Sequence, residues 1–264
     1  MTTESQAPAA ADPASSPTAA LLIIGNEILS GRTQDANLAH IARTLGGLGI
    51  PLREVRVVPD LEAEIVTAVN VLRTRYTYLF TTGGIGPTHD DITAASIARA
   101  FGVPVVRHPE AQARLERHYA GTGMLSEARL RMADTPAGAS LIDNPVSAAP
   151  GFQIGNVFVM AGVPVIMQAM LAGLVPRLVG GPPVLSKAVV CGVPEGTLAD
   201  ALRAIQADHP DVDIGSYPAF RQGRVSTSLV LRGTDPARLE AATARVAAMV
   251  RALGDEPSVQ DGTG

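Results

Sequence analysis

Three times before Phe101 the chain runs from a short apolar stretch, through a loop bearing glycine or aspartate, into residues of helical spacing. Ala19–Ile24 is apolar throughout and ends at Gly25, after which Leu38, Ile41, Ala42 and Leu45 recur on one helical face. Arg53–Val58 alternates toward a second strand, Asp60 stands where it can cap a helix carrying Ile65, Val69 and Leu72, and Thr77–Thr82 forms a third run. Ile92, Ala95, Ile97 and Phe101 then mark a helix beyond Asp91. Helices between strands act as crossovers, which let consecutive strands lie parallel. The expected fold is therefore α/β, a mostly parallel sheet with helices on both faces. Such a sheet gathers its ligand loops beyond the carboxyl ends of its strands.

Further along the pattern is less regular. A helix is expected from about Pro109 to Tyr119, then an arginine-rich piece from Ser126 to Met132 and a Pro/Gly-rich stretch to Gly151. Phe152–Ile154 and Val157–Met160 flank Gly155-Asn156, a two-residue hairpin turn. Pro164 opens an apolar helix reaching Leu174, since proline suits the first helical turn. Gly180-Gly181-Pro182-Pro183 signals a boundary. Beyond it come a strand (Ala188–Cys191), a helix (Thr197–Ala207), two strands (Val212–Tyr217 and Val225–Leu231) and a helix (Pro236–Leu253). This βαββα order suits a small α+β domain of two helices on a three-stranded sheet. The expected division is a disordered tail at 1–18, a main domain at 19–180, the small domain at 184–256 and a disordered tail at 257–264. With 264 residues, 46% of them hydrophobic, the chain has enough apolar material for both cores.

Charge narrows the function classes. The formal net charge is −4, only 17% of residues are charged, and Lys187 is the one lysine among 21 basic side chains. Backbone affinity for nucleic acid needs clustered Lys and Arg, so no nucleic-acid partner is expected. Arg221, Arg224 and Arg232 in the small domain read as solvated charge, because its hairpin lacks a basic Gly-x-x-Gly clamp. Cys191 is alone, which excludes an intrachain disulfide and a cysteine-cluster zinc site. The Ala/Pro/Ser/Thr-rich start lacks the pattern of a secretory signal, and the apolar stretch Val157–Leu174 is interrupted by Gly162, Pro164 and Gly173. No membrane partner and a cytoplasmic location are expected.

The densest motif is Thr81-Thr82-Gly83-Gly84-Ile85-Gly86-Pro87-Thr88-His89-Asp90-Asp91, between a strand and a helix. Gly83, Gly84 and Gly86 let backbone approach a ligand without Cβ obstruction, and free amides at a helix start attract phosphate. Adjacent carboxylates beside a phosphate repel it unless a cation intervenes. A divalent metal (Mg²⁺, Mn²⁺ or Co²⁺) is thus an expected cofactor, since Mg²⁺ typically binds through one or two carboxylates plus substrate phosphates. The competing reading makes Thr88 or Asp90 a helix cap and Asp91 a dipole partner. A second loop, Gly25 to Asn37, places Glu27, Asp35 and Asn37 at the same sheet edge, although Thr33 or Asp35 can equally cap the next helix. Val58-Pro59-Asp60 forms a third loop.

These residues resemble a known family. Gly25–Asn37 and Thr82–Asp91 look like the two signature loops of competence/damage-inducible protein A, of its short relatives and of the front domain of eukaryotic FAD synthase. Asn144 with Ala149-Pro150-Gly151-Phe152, and Gly162-Val163-Pro164, are similar to the family's third and fourth loops. The small domain resembles its KH-like middle domain. The resemblance implies a MoaB/Mog-like, molybdopterin-binding-type three-layer fold binding a nucleotide or pterin phosphate. It implies substrate contacts at Gly25, Asn37, Gly83, Gly84, Gly86, Thr88, Asn144, Pro150, Gly151, Gly162 and Pro164. Metal ligands are expected at Glu27, Asp35, Asp90 and Asp91. Catalysis is expected from Glu27, Asp60 and Asp91; Asp60 and Asp91 match acidic positions associated with adenylyl transfer in the Mog branch. Metal-dependent cleavage of ADP-ribose or FAD leads the expectations, with a pterin-binding module or molybdopterin adenylyltransferase as the alternative. A homo-oligomer is expected. Ile166 stands where the family often carries Glu.

Overall fold

A computed structural model describes residues 16–221 and 224–261. The first fifteen residues of the expected N-terminal tail, residues 222–223 and residues 262–264 lie outside the described residues. The chain divides into two compact units at Gly181–Pro182, with Gly46–Gly49 grouped with the second.

In the first unit, β1 (Ala19–Ile24) leads through α1 (Asn26–Leu29) and α2 (Asn37–Gly47) to β2 (Leu52–Val58). From there α3 (Glu62–Arg75) leads to β3 (Tyr78–Thr82), followed by α4 (Thr93–Phe101), β4 (Val105–Arg107), α5 (Pro109–Tyr119) and α6 (Glu127–Leu130). The remaining strands and α-helix are β5 (Asp134–Pro136), β6 (Ser140–Ile142), β7 (Gly151–Ile154), β8 (Val157–Met160) and α7 (Pro164–Leu174). The main sheet has the order β2-β1-β3-β8-β7-β6, and its first four strands run parallel. The tight turn at Gly155, where φ is 54°, makes β7 antiparallel to β8. β4 and β5 form a separate small ladder.

Every residue of β1 is buried, as a central strand covered on both faces requires. Leu22, Ile24, Leu79, Val157 and Val159 join Ile65, Val69 and Leu72 of α3 and Ile97 of α4 in one cluster. By alternation Leu21, Ile23, Phe80, Phe158 and Met160 point to the opposite face, where Phe80 and Phe158 stack at 5.2 Å. Because β1 is followed by β2 on one side and β3 on the other, the chain reverses direction across the sheet between β1 and β3. That is the switch point where a doubly wound sheet opens a crevice.

The second unit comprises β9 (Leu185–Cys191), α8 (Glu195–Asp208), β10 (Asp213–Arg221), β11 (Arg224–Gly233), α9 (Pro236–Ala252) and β12 (Ser258–Asp261). Two expectations need correcting here. The sheet has four strands, β10-β11-β9-β12, and the segment 257–264, expected as a disordered tail, supplies β12 at Ser258–Asp261. β9 is flanked by β11 on one side, so its other edge is open for a short strand to pair. The side chains of β12 are exposed, which left no apolar alternation to announce it. No described helix is long and apolar enough to cross a membrane.

Candidate functional site

The loop after β1 is set by its backbone. Gly25 N–H donates to the Val58 carbonyl at 3.1 Å, and Asn26 N–H donates to the Asp60 carboxylate at 2.8 Å. Asp60 is therefore not the cap of α3, whose N-cap position is Leu61 with no side-chain bond. It anchors the first turn of α1, and it does not line the cleft described below. The Glu27 carboxylate folds back over Gly25, within 2.5–2.6 Å of where a Cβ there would stand. Asp35 accepts from Asn37 N–H (3.1 Å) and Leu38 N–H (2.8 Å), which makes it the cap of α2.

The loop after β3 needs its glycines. Gly83 has φ 103°, and any Cβ on it would run into the Ile24 carbonyl oxygen, so this position brings the β1 and β3 loops into contact. A Cβ on Gly84, where φ is 66°, would collide with Thr93 Oγ1. Thr93 is fully buried; its hydroxyl donates to Gly83 O (3.0 Å) and its N–H to Gly84 O (3.1 Å). Gly86 makes room for Asp91, whose Oδ2 would lie 2.7 Å from a Cβ there. Asp91 in turn accepts from Thr88 N–H at 2.7 Å, and the Thr88 hydroxyl lies against both Asp90 and Asp91. The helix-cap reading of Thr88 and Asp90 fails, because α4 begins after Ile92 without a side-chain cap. The Thr88 hydroxyl and a backbone bond hold the Asp90 carboxyl below its usual range, so it stays ionised; its side chain is exposed.

The loop after β8 closes the site. Gly83 N–H donates to Met160 O at 3.2 Å, Gly162 lies against Gly83, and Asn37 Nδ2 donates to Gly162 O at 2.8 Å. Asn37 is 4% exposed and its Oδ1 has no partner; buried Thr82 Oγ1 is likewise unpartnered. Both line a small cavity with Glu27, Asp35, Gly83, Gly162 and Pro164. A larger cleft adjoins it, lined by Glu27, Gly83, Gly84, Gly86, Asp91, Asn144, Gly162, Pro164 and Ile166 among others. Of the expected contact residues, Gly25, Asn37, Thr88, Pro150 and Gly151 do not line it, Asn37 lining only the small cavity.

Two of those have other work, and so does one that does line the cleft. A Cβ on Gly151 would strike the Val159 carbonyl, so this glycine serves the pairing of β7 with β8. Pro150 is buried beside it. Asn144 accepts from Val146 and Ser147 N–H and donates to Ser147 Oγ and Ala149 O, which saturates its amide. It organises a loop in which Ala148 adopts φ 63°, a conformation costing a non-glycine residue about 1 kcal/mol. Nor do Glu27, Asp35, Asp90 and Asp91 form the expected four-carboxylate metal cluster: among the described residues no three His, Cys, Asp or Glu side chains are gathered for a metal. Glu27 and Asp91 alone share the cleft. Thr93 and Thr82 were absent from the sequence-derived set. Thr93 lies two residues beyond Asp91, at the first residue of α4, where a side chain can reach back to the loop.

Comparison with known proteins gives the geometry a lineage. A family model described as a probable molybdopterin binding domain matches residues 20–180, and one described as the FAD synthase middle domain matches 183–254. A protein of Pyrobaculum calidifontis is 38% identical over 212 residues, 76% of this chain and 81% of that protein. A CinA-like protein of Desulfosudis oleivorans is 36% identical over 76% of this chain, which spans 52% of that longer relative. The crystal structure of the protein CinA from Thermoplasma acidophilum, described as of unknown function, matches 61% of this chain and 98% of its own, with 34% identity and a TM-score of 0.58.

Proposed function

The chain belongs to the family of probable molybdopterin binding domains, in its competence/damage-inducible protein A branch, and from that premise we propose that the switch-point cleft binds a phosphorylated nucleotide and cleaves its diphosphate with a divalent cation. The observation that carries this reading is the convergence of Gly83, Gly84 and Gly86 with Glu27 and Asp91 on one cleft. Backbone stripped of Cβ atoms suits phosphate oxygens, and two carboxylates suit a hard cation. The donor set fits Mg²⁺ or Mn²⁺ held by Glu27 and Asp91, the rest of the shell being water and phosphate. When bound, such a cation neutralises phosphoryl oxygens and supplies Lewis acidity.

The chain's own residues do the positioning. Thr88 orients Asp91, Asp60 fixes the turn that carries Glu27, and Thr93 pins the glycine loop from below. The Gly162 carbonyl bond from Asn37 keeps the β8 loop against the glycine loop. ADP-ribose and FAD are the substrates the resemblance favours. With Mn²⁺, the protein is expected to release AMP from either, and EDTA is expected to stop it. Glu27→Gln and Asp91→Asn are each expected to lose most turnover at unchanged melting temperature. Turnover that persists under chelation removes the cation from the reaction. A second reading, binding of a pterin phosphate without hydrolysis, is favoured by apolar Ile166 in the cleft wall; tight pterin binding with no nucleotide turned over would establish it.

A further inference from the structure

The residues lining the cleft include two carboxylates, Glu27 and Asp91, and no lysine or arginine. A phosphate entering it meets repulsion that a cation held by those two carboxylates relieves only in part. Beside it lies the arginine-rich segment around α6. Arg107 is paired with Asp134 at 2.6 Å and Glu127 at 2.8 Å, and Arg114 with Glu110 and Asp143 at 2.5 Å each. Arg129 bonds the Met124 carbonyl and lies over the Tyr119 ring. Arg131, like Arg129, has no carboxylate partner among the described residues, but it differs in where it is held: its Nη2 donates to the Pro87 carbonyl at 3.1 Å. Pro87 and Met132, on either side of that bond, both line the cleft. The guanidinium is thus tethered to the glycine loop at the rim, exposed, with its charge and its other donors uncommitted.

We infer that Arg131 is the cation with which this cleft receives a substrate phosphate, a binding residue supplied by the segment between α5 and β5. The inference rests on the phosphate reading proposed above. A guanidinium held by one N–H still presents further donors toward phosphate oxygens, and such charge-assisted bonds are about twice as strong as neutral ones. Arg107 and Arg114 spend their charge on carboxylates and Arg129 is held at the Met124 carbonyl, away from the cleft lining, so of these four Arg131 is the one bonded to a residue that lines the cleft.

The test separates charge from scaffolding. Calorimetry with Mn²⁺ present measures affinity for inorganic pyrophosphate, ADP-ribose and unphosphorylated adenosine in the native protein, Arg131→Lys and Arg131→Gln. Gln keeps a donor for Pro87 without the charge, whereas Lys keeps the charge. Arg131→Gln is expected to weaken pyrophosphate and ADP-ribose about tenfold or more and to leave adenosine unchanged. Arg131→Lys is expected to retain most of the affinity, and KM for turnover should rise in Arg131→Gln more than kcat falls. Native-like binding by Arg131→Gln, equal losses in both variants, or an equal loss of adenosine would each overturn the inference. A native protein that binds neither pyrophosphate nor ADP-ribose would instead overturn the proposed function, and this inference with it.

Discussion

The sheets of the two units differ in the direction of their strands, and the difference decides where polar chemistry collects. In the first unit β1, β3 and β8 run parallel, with Ile23, Thr82 and Met160 in register at one edge. The three loops that follow must therefore leave together, and a cleft forms among them. In the second unit β10, β11, β9 and β12 alternate in direction, so successive loops leave from opposite ends. Its internal polar bonds serve the fold instead. Thr227 Oγ1 donates to Val193 O, and Gln206 bridges the His209 and Val212 carbonyls to Ile214 N–H. Parallel topology superposes loops that are remote in sequence, and antiparallel topology distributes them.

The strongest way to break this contrast is Gly83→Val. Its φ of 103° and the Ile24 carbonyl beneath it leave no place for a side chain, so a loss of about 3 kcal/mol or more is expected in the first unit. Scanning calorimetry should show that unit's transition lowered and the other's unchanged; native melting would mean that close approach does not fix the loop. The matching test in the second unit is Leu231→Ala. Leu231 is 0% exposed, and its truncation should cost about 2–5 kcal/mol there while ADP-ribose affinity stays as it was. Weakened binding with the first unit still folded would break the division of labour.

A smaller effect sharpens the reading of Asp60. If it only anchors the Asn26 amide, Asp60→Asn should cost about 1 kcal/mol and keep most turnover. Turnover as low as in Asp91→Asn would restore the direct role the family resemblance implies. The smallest expected effect concerns pH. Arg238 pulls the exposed Asp211 carboxyl from its ordinary 3.8 down to about 2. A depressed folded-state value means that the pair's stabilisation is complete above pH 3.8 and disappears as pH falls through about 2. Asp211→Asn should therefore flatten the acid limb of the second unit's melting curve in that window; an unchanged limb would show that solvent screens the pair entirely.

Much of the architecture is legible in the sequence alone. Six buried residues in β1, the helical spacing behind α2 and α3, the Gly155-Asn156 turn and Pro164 at the start of α7 are local signals, and local signals survive without knowledge of neighbours. β4, β5, β6 and β12 escaped, because strands of three or four residues carry too few alternations to be read on their own; β7 and β8, equally short, were marked by the turn between them. The glycine loop was legible as a cradle. The distribution of its acids was not.

The sequence by itself determined the order of elements, the parallel sheet and the edge at which ligand loops gather, since periodicity and turn chemistry act over a few residues. Only the tertiary structure decided which carboxylates are left for a ligand. Asp60 is claimed by an amide thirty-four residues earlier, and Glu27 and Asp91 are brought to one cleft from separate loops, whereas the cap that Asp35 makes is a local bond. Asp91 keeps lone pairs for a ligand beside the bonds it accepts from Thr88, and which carboxylates reach the cleft is settled by the packing of distant segments.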